Sequence, residues 1–182
     1  MGKLETGAES FAHPIGTDAI RIERVLPGPR ERVWRYLTEP DLRRRWLAAG
    51  AFDLAPGGAV ELVFRNNELT PDDDAPPPAG HQEFRLSGTI LACKAPSLLA
   101  YTWGTEPDAS HVRFELAEEG DRVRLTVTHS RVVKRPMMTS VSAGWHAHLD
   151  LLVAELEERA PDGFWRKFGA LKPLYEQRLP GA

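Results

Sequence analysis

The sequence predicts an α+β fold in which a run of antiparallel strands precedes a long C-terminal helix. Two observations carry that prediction. Between Phe52 and Ser130, apolar and polar residues alternate in successive short runs, the period of strands with one buried face. After Pro136 the period becomes helical and holds to Arg159. At 182 residues the chain can build one domain with a substantial core, and no internal repeat or second domain is visible.

Residues 1–17 show no period and are expected to form a flexible tail, followed by the domain proper over 18–160. "DAIRIERVL" alternates Ile20 and Ile22 with Arg21 and Glu23, the mark of a half-buried strand. "PGPRERVWRYL" places Pro29 at a helix start, with Val33, Trp34 and Leu37 at helical spacing. Pro40 closes that helix and opens a short second one carrying Leu42, Trp46 and Leu47.

The strands follow. "GGAVELVFR" turns Val60, Leu62 and Phe64 inward, and "HQEFRLSGTILAC" puts Phe84, Leu86, Gly88 and Ile90 on one side. "SLLAYTW" is short and aromatic. "HVRFELAEEGDRVRLTVTHS" is the clearest hairpin: Val112, Phe114 and Leu116, a Glu-Glu-Gly-Asp turn, then Val123, Leu125, Val127 and His129. Residues 66–80, "NNELTPDDDAPPPAG", are polar and proline-broken, hence an exposed loop; its aspartates lack the spacing of a calcium loop. Beyond Pro161 and Gly163, residues 161–182 form an amphipathic extension with Phe164, Trp165, Phe168 and Leu171 on its apolar side. That side can fold back on the domain or join two copies as a homodimer.

Composition removes several function classes. With 26 acidic against 23 basic residues and a net charge of −3, there is no electrostatic footprint for nucleic acid or anionic membrane. The single cysteine, Cys93, excludes an internal disulfide and a thiolate cluster, and reads as an inert strand thiol. No run is long and apolar enough to span a membrane, and "MGKLETGAES" lacks a secretory core, so a cytoplasmic protein is expected. Gly2 and Thr6 match a myristoylation pattern too short to weigh. No nucleophile elbow, zinc-protease motif, phosphate loop or dinucleotide fingerprint occurs, and no cofactor is implied.

The stretch "SVSAGWHAHLDLLVAEL" sets two histidines beside a tryptophan. At about 100° per residue, Val141, Trp145, Leu149, Leu152 and Leu156 form one stripe. His148 falls on its edge, while His146 points away and is expected at the surface. Residues i and i+2 of a helix cannot share a metal, so no metal site is expected. Strand alternation turns His129 toward the same interior as His148. The two are core-edge histidines satisfied by carbonyls or water, or else polar anchors for a bound molecule or a proton-transfer pair.

"RVWRYLTEPDLRRRWL", "SGTILACKAPSLLAYTW" and "GWHAHLDLLVAEL" resemble, in order, three segments of the activator-of-heat-shock-ATPase-like family in the SRPBCC (START-related) superfamily. The resemblance spans roughly Asp18 to Arg159 and rests on Trp34, Leu37, Trp46, Trp103, Gly144, Trp145, Leu149 and Leu152. It implies the helix-grip fold, a strongly curved sheet wrapped around the last helix. It implies no universal catalytic residue. A glycine at position 144 would let another segment approach the helix closely. The family name implies stimulation of a heat-shock chaperone, but its chaperone activators carry a separate N-terminal domain. The stretch ahead of the first strand is too short to build one.

The leading expectation is a small hydrophobic or amphipathic molecule held between sheet and helix. Its walls would be Trp46, Phe64, Phe84, Trp103, Phe114, His129, Trp145, His148 and Leu152. The alternatives are a cyclase- or aromatase-like enzyme using His129 and His148, with Tyr101 behind them, and a protein-interaction or co-chaperone-like module.

Overall fold

In the computed structural model, which describes residues 11–69 and 83–179, seven antiparallel strands form one sheet. They are β1 (His13–Ile15), β2 (Ala19–Pro27), β3 (Ala59–Phe64), β4 (Phe84–Lys94), β5 (Leu98–Trp103), β6 (Ser110–Glu119) and β7 (Arg122–Ser130). Their spatial order is β1-β2-β7-β6-β5-β4-β3, so the chain closes β2 onto β7 after a meander through the other strands. Helices α1 (Arg30–Thr38) and α2 (Pro40–Arg43) link β2 to β3. The long α3 (Arg135–Leu156) follows β7, and α4 (Phe164–Arg178) closes the chain. The sheet is curved and unclosed with α3 in its grip: an α+β helix-grip fold.

The alternation read from sequence is the alternation observed. Val112, Phe114 and Leu116 of β6 and Val123, Leu125, Val127 and His129 of β7 are all buried, across a register pairing Glu119 with Arg122. At Gly88 in β4 a side chain is impossible, because its Cβ would lie 2.1 Å from the carbonyl oxygen of Thr102 on β5. On α3 the stripe Trp145, Leu149, Leu152 and Leu156 faces the core. The helix ends at Leu156, short of Arg159, and Glu158 takes a positive φ of 55° just beyond it.

Beyond the short second helix, which stops at Arg43 and leaves Trp46 and Leu47 in the turn after it, two expectations need correction. Residues 13–15, assigned to a tail, form the edge strand β1, paired with Ala19–Arg21. Three residues containing a proline are too few to show a period, and the turn at Gly16 (φ 60°) does the joining. Residues 1–10 lie outside the described part of the chain, as do 70–82, which hold most of the expected acidic proline-rich loop. Its start, Asn66–Leu69, is a 3-10 turn. The second correction concerns His146, which is buried because α4 and the segment around Phe11 cover the rear of α3. Among the described residues no helix is long and apolar enough to cross a membrane.

Candidate functional site

The concave face of the sheet does not close completely on α3. An outer chamber of about 300 Å³ opens between β3, β4, β5, α3 and α4, lined by Phe64, Phe84, Trp103, Gly144, His148, Phe164, Trp165 and Phe168, with Asn66 at one side. An inner chamber of about 110 Å³ adjoins it, reaching Leu47, His129, Val141 and Trp145. Phe64, Trp103, Gly144 and His148 border both. The aromatic rings form a continuous lattice: Phe64 lies 5.7 Å from Trp103, Trp103 is 5.5 Å from both Trp145 and His129, and Phe164 stands 4.6 Å from His148.

Gly144 departs from the expectation that it would accommodate a close neighbour. A Cβ built there meets nothing within 4 Å, so the missing side chain leaves space where the two chambers meet. Of the residues expected to form walls, Phe64, Phe84, Trp103, His129, Trp145 and His148 border one chamber or both. Phe84, half exposed, sits at the mouth. Trp46, Phe114 and Leu152 border neither; each is packed into the core. Tyr101 is also core, its ring 5.2 Å from Phe52 and its hydroxyl pKa pushed up by burial. Cys93 on β4 is half-buried, and burial raises its thiol pKa.

The histidines have distinct hydrogen-bonding states. The Trp145 indole N–H donates to His129 Nδ1 at 3.0 Å. The neutral His129 ring therefore carries its hydrogen on Nε2, 2.8 Å from Ser110 Oγ, and both nitrogens are occupied. Burial pushes its pKa down to about 3, with His111 adding repulsion. With its lone pair already accepting from Trp145, the ring has no free site to take up a further proton. His148 Nδ1 lies 2.7 Å from the backbone carbonyl of Trp46. A carbonyl only accepts, so Nδ1 carries the hydrogen and Nε2 the lone pair. Burial depresses this pKa to about 4 against the opposing carbonyl bond.

The carbonyl that orients His148 is itself held in place. Arg43, fully buried, donates to the carbonyls of Thr38 (3.0 Å), Ala48 (3.2 Å) and Gly50, with its guanidinium 3.7 Å over the Phe52 ring. Trp46 Nε1 donates to the Tyr36 carbonyl at 2.9 Å. The end of α1, the turn bearing Trp46 and the imidazole of His148 thus form one hydrogen-bonded train. Desolvation pulls the Arg43 pKa down to about 10, so it stays charged at neutral pH.

The rear face of α3 is polar. Asp150 meets Arg24 of β2 at 3.0 Å and Lys167 of α4 at 2.6 Å, with His146 Nε2 at 3.6 Å. Burial acts to raise the Asp150 pKa, but the Arg24 and Lys167 charges outweigh it and hold the carboxyl below its usual range. His146 Nδ1 lies 2.9 Å from the Tyr175 hydroxyl, which accepts the Ala12 N–H at 2.7 Å. His146 and His148 therefore project to opposite sides of α3. Sequence reasoning missed the outer wall on α4: Phe164, Trp165 and Phe168 were legible as an apolar side, but not what that side faced. The Trp165 indole N–H donates to Asn67 Oδ1 at 2.9 Å, fastening α4 to the 3-10 turn.

Residues 27–157 match the family model described as "Activator of Hsp90 ATPase homolog 1-like protein". No functionally curated protein matches the chain. Among solved structures, the protein encoded by BPP1335 of Bordetella parapertussis is 40% identical, with a TM-score of 0.76 over 97% of this chain and 95% of its own. CalU16 from Micromonospora echinospora is 24% identical, with a TM-score of 0.64 over 92% of this chain and 93% of its own. EF2215 from Enterococcus faecalis is 19% identical, with a TM-score of 0.67 over 91% and 87%. These last two likenesses are likenesses of fold.

Proposed function

Because the chain belongs to the Activator of Hsp90 ATPase homolog 1-like family of the SRPBCC superfamily, we propose that it binds a small apolar or amphipathic molecule in the chambers between sheet, α3 and α4. The observation that carries this reading is Gly144, the one glycine of α3, which faces open space at the junction of the chambers. The position is only partly buried, so the space beside it is reachable by a guest from outside. The size is apt: pockets for small ligands begin at about 300 Å³, and a dry apolar cavity near 150 Å³ already holds benzene.

Turnover has less support than binding. His129, one half of the expected proton-transfer pair, has both ring nitrogens committed to Trp145 and Ser110. A chaperone-directed role draws on the family name alone. Native mass spectrometry of protein purified without denaturant tests the binding reading, followed by titration with naphthalene monitored by tryptophan fluorescence. A bound mass, or saturable quenching lost in Gly144→Leu, is expected. Protein that carries no guest and shows no saturable response would defeat it.

A further inference from the structure

Among the described residues, the walls of the two chambers hold no lysine, arginine, aspartate or glutamate. Their polar groups are not equivalent. His129 has no hydrogen-bonding capacity to spare. His148 has: its Nδ1–H is spent on the Trp46 carbonyl, and its Nε2 lone pair has no hydrogen bond among the described residues, although the ring borders both chambers. Asn66 Oδ1, beside the outer chamber, is buried without a partner. Once a guest displaces water from the His148 acceptor, an unmade hydrogen bond there is penalised, so a guest that brings a donor is favoured.

We infer that the ligand is an uncharged aromatic molecule bearing a hydroxyl group, whose O–H donates to His148 Nε2 while its ring lies against Phe64, Trp103 and Phe164. The inference rests on the cavity reading above and narrows it to a chemical class. A plain hydrocarbon leaves Nε2 dehydrated and unpaired. A carboxylate carries a charge into walls whose described residues include no cation to meet it. A hydroxyl satisfies the acceptor at no charge cost, and the surrounding rings favour a flat aromatic body over an aliphatic one. The Trp46 carbonyl fixes the tautomer, so His148 selects for donors; it does not itself need to react.

The test compares naphthalene, 2-naphthol, 2-methoxynaphthalene and 2-naphthoate by fluorescence titration or calorimetry. In the unaltered protein 2-naphthol should bind about tenfold more tightly than naphthalene, with 2-methoxynaphthalene resembling naphthalene and 2-naphthoate weakest. In His148→Leu the advantage of 2-naphthol should shrink to about twofold or less while naphthalene still binds. The methoxy probe removes the donor from the ligand side, so the test stands even if His148→Leu fails to fold. Equal binding of 2-naphthol, its methyl ether and naphthalene would overturn the donor rule and leave the cavity reading intact. Retention of the preference in folded His148→Leu would do the same. Absence of binding by every probe would overturn both.

Discussion

Replacing Gly144 gives opposite signs for a cavity and for a packed contact. Glycine inside a helix costs roughly 0.5–1 kcal/mol relative to alanine, through backbone entropy. A Cβ at this position meets nothing within 4 Å, so Gly144→Ala recovers that amount without a steric charge against it. For a domain of this length, about 1 kcal/mol raises Tm by roughly 2–4 °C. Gly144→Leu should be about as stable, because the side chain enters partly enclosed apolar space, where burial contributes part of the roughly 1.5–3 kcal/mol of a fully buried side chain, before rotamer entropy is subtracted. Binding moves the other way: a leucine at the junction of the 300 and 110 Å³ chambers occupies the guest's space, and naphthalene affinity should fall by about tenfold or more. Differential scanning calorimetry and fluorescence titration on the same samples read both effects. If both variants lose more than about 1 kcal/mol, the reasoning is wrong, since overpacking a filled core costs roughly 1–3 kcal/mol.

Three further outcomes follow from the polar groups. His129, His146 and His148 are held neutral when folded, with pKa values pushed down to about 3, about 4 and about 4, so below pH 6.5 the unfolded chain binds more protons. Stability should be level above about pH 7 and fall as pH drops from 6.5, by roughly 1.4 kcal/mol per pH unit for each histidine; a Tm unchanged between pH 7 and 5 would contradict it. Tyr175→Phe leaves the Ala12 N–H and His146 Nδ1 without their partner, at a cost of roughly 1–3 kcal/mol for each group left unsatisfied. Hydrogen exchange at Ala12 should rise in that variant while the β6–β7 amides stay protected. Arg43→Met strands several buried carbonyls and should cost about 3 kcal/mol or more by urea denaturation, with weaker 2-naphthol binding as Trp46 and His148 lose their support. Stability within 1 kcal/mol of the unaltered protein would remove Arg43 from that role.

Local pattern was enough for much of the fold and for part of the site. The hairpin of β6 and β7 and the α3 stripe are written in periods of two and about three and a half, which depend only on neighbours along the chain. His129 and His148 could be placed toward one interior for the same reason. What the pattern could not carry is burial imposed from elsewhere. His146 is polar and lies off the stripe, yet Phe11 and Tyr175, far apart in sequence, enclose it. Trp46, Phe114 and Leu152 look like wall residues because wall and core use the same side chains; only depth separates them. Gly144 has the opposite meaning in a crowded helix and beside a void, and a sequence does not distinguish the two.

The two faces of α3 answer different demands. On the front, an inner chamber of about 110 Å³ would cost of order 2–3 kcal/mol if it were dry and sealed, using the dependence of stability on cavity volume. Opening to the outer chamber reduces that term, since solvent or a guest can occupy the space. The rear of the helix is cross-linked: Asp150 joins β2 and α4 through Arg24 and Lys167, and Tyr175 joins α4 to the segment entering β1. These links fix the helix by geometry and leave its front free of the need to interdigitate. They also hold α4 where Phe164, Trp165 and Phe168 complete the outer wall. The polar contacts behind the helix and the Trp165–Asn67 bond in front of it thus fasten the same α4 from two sides, and α4 in turn supplies the aromatic wall.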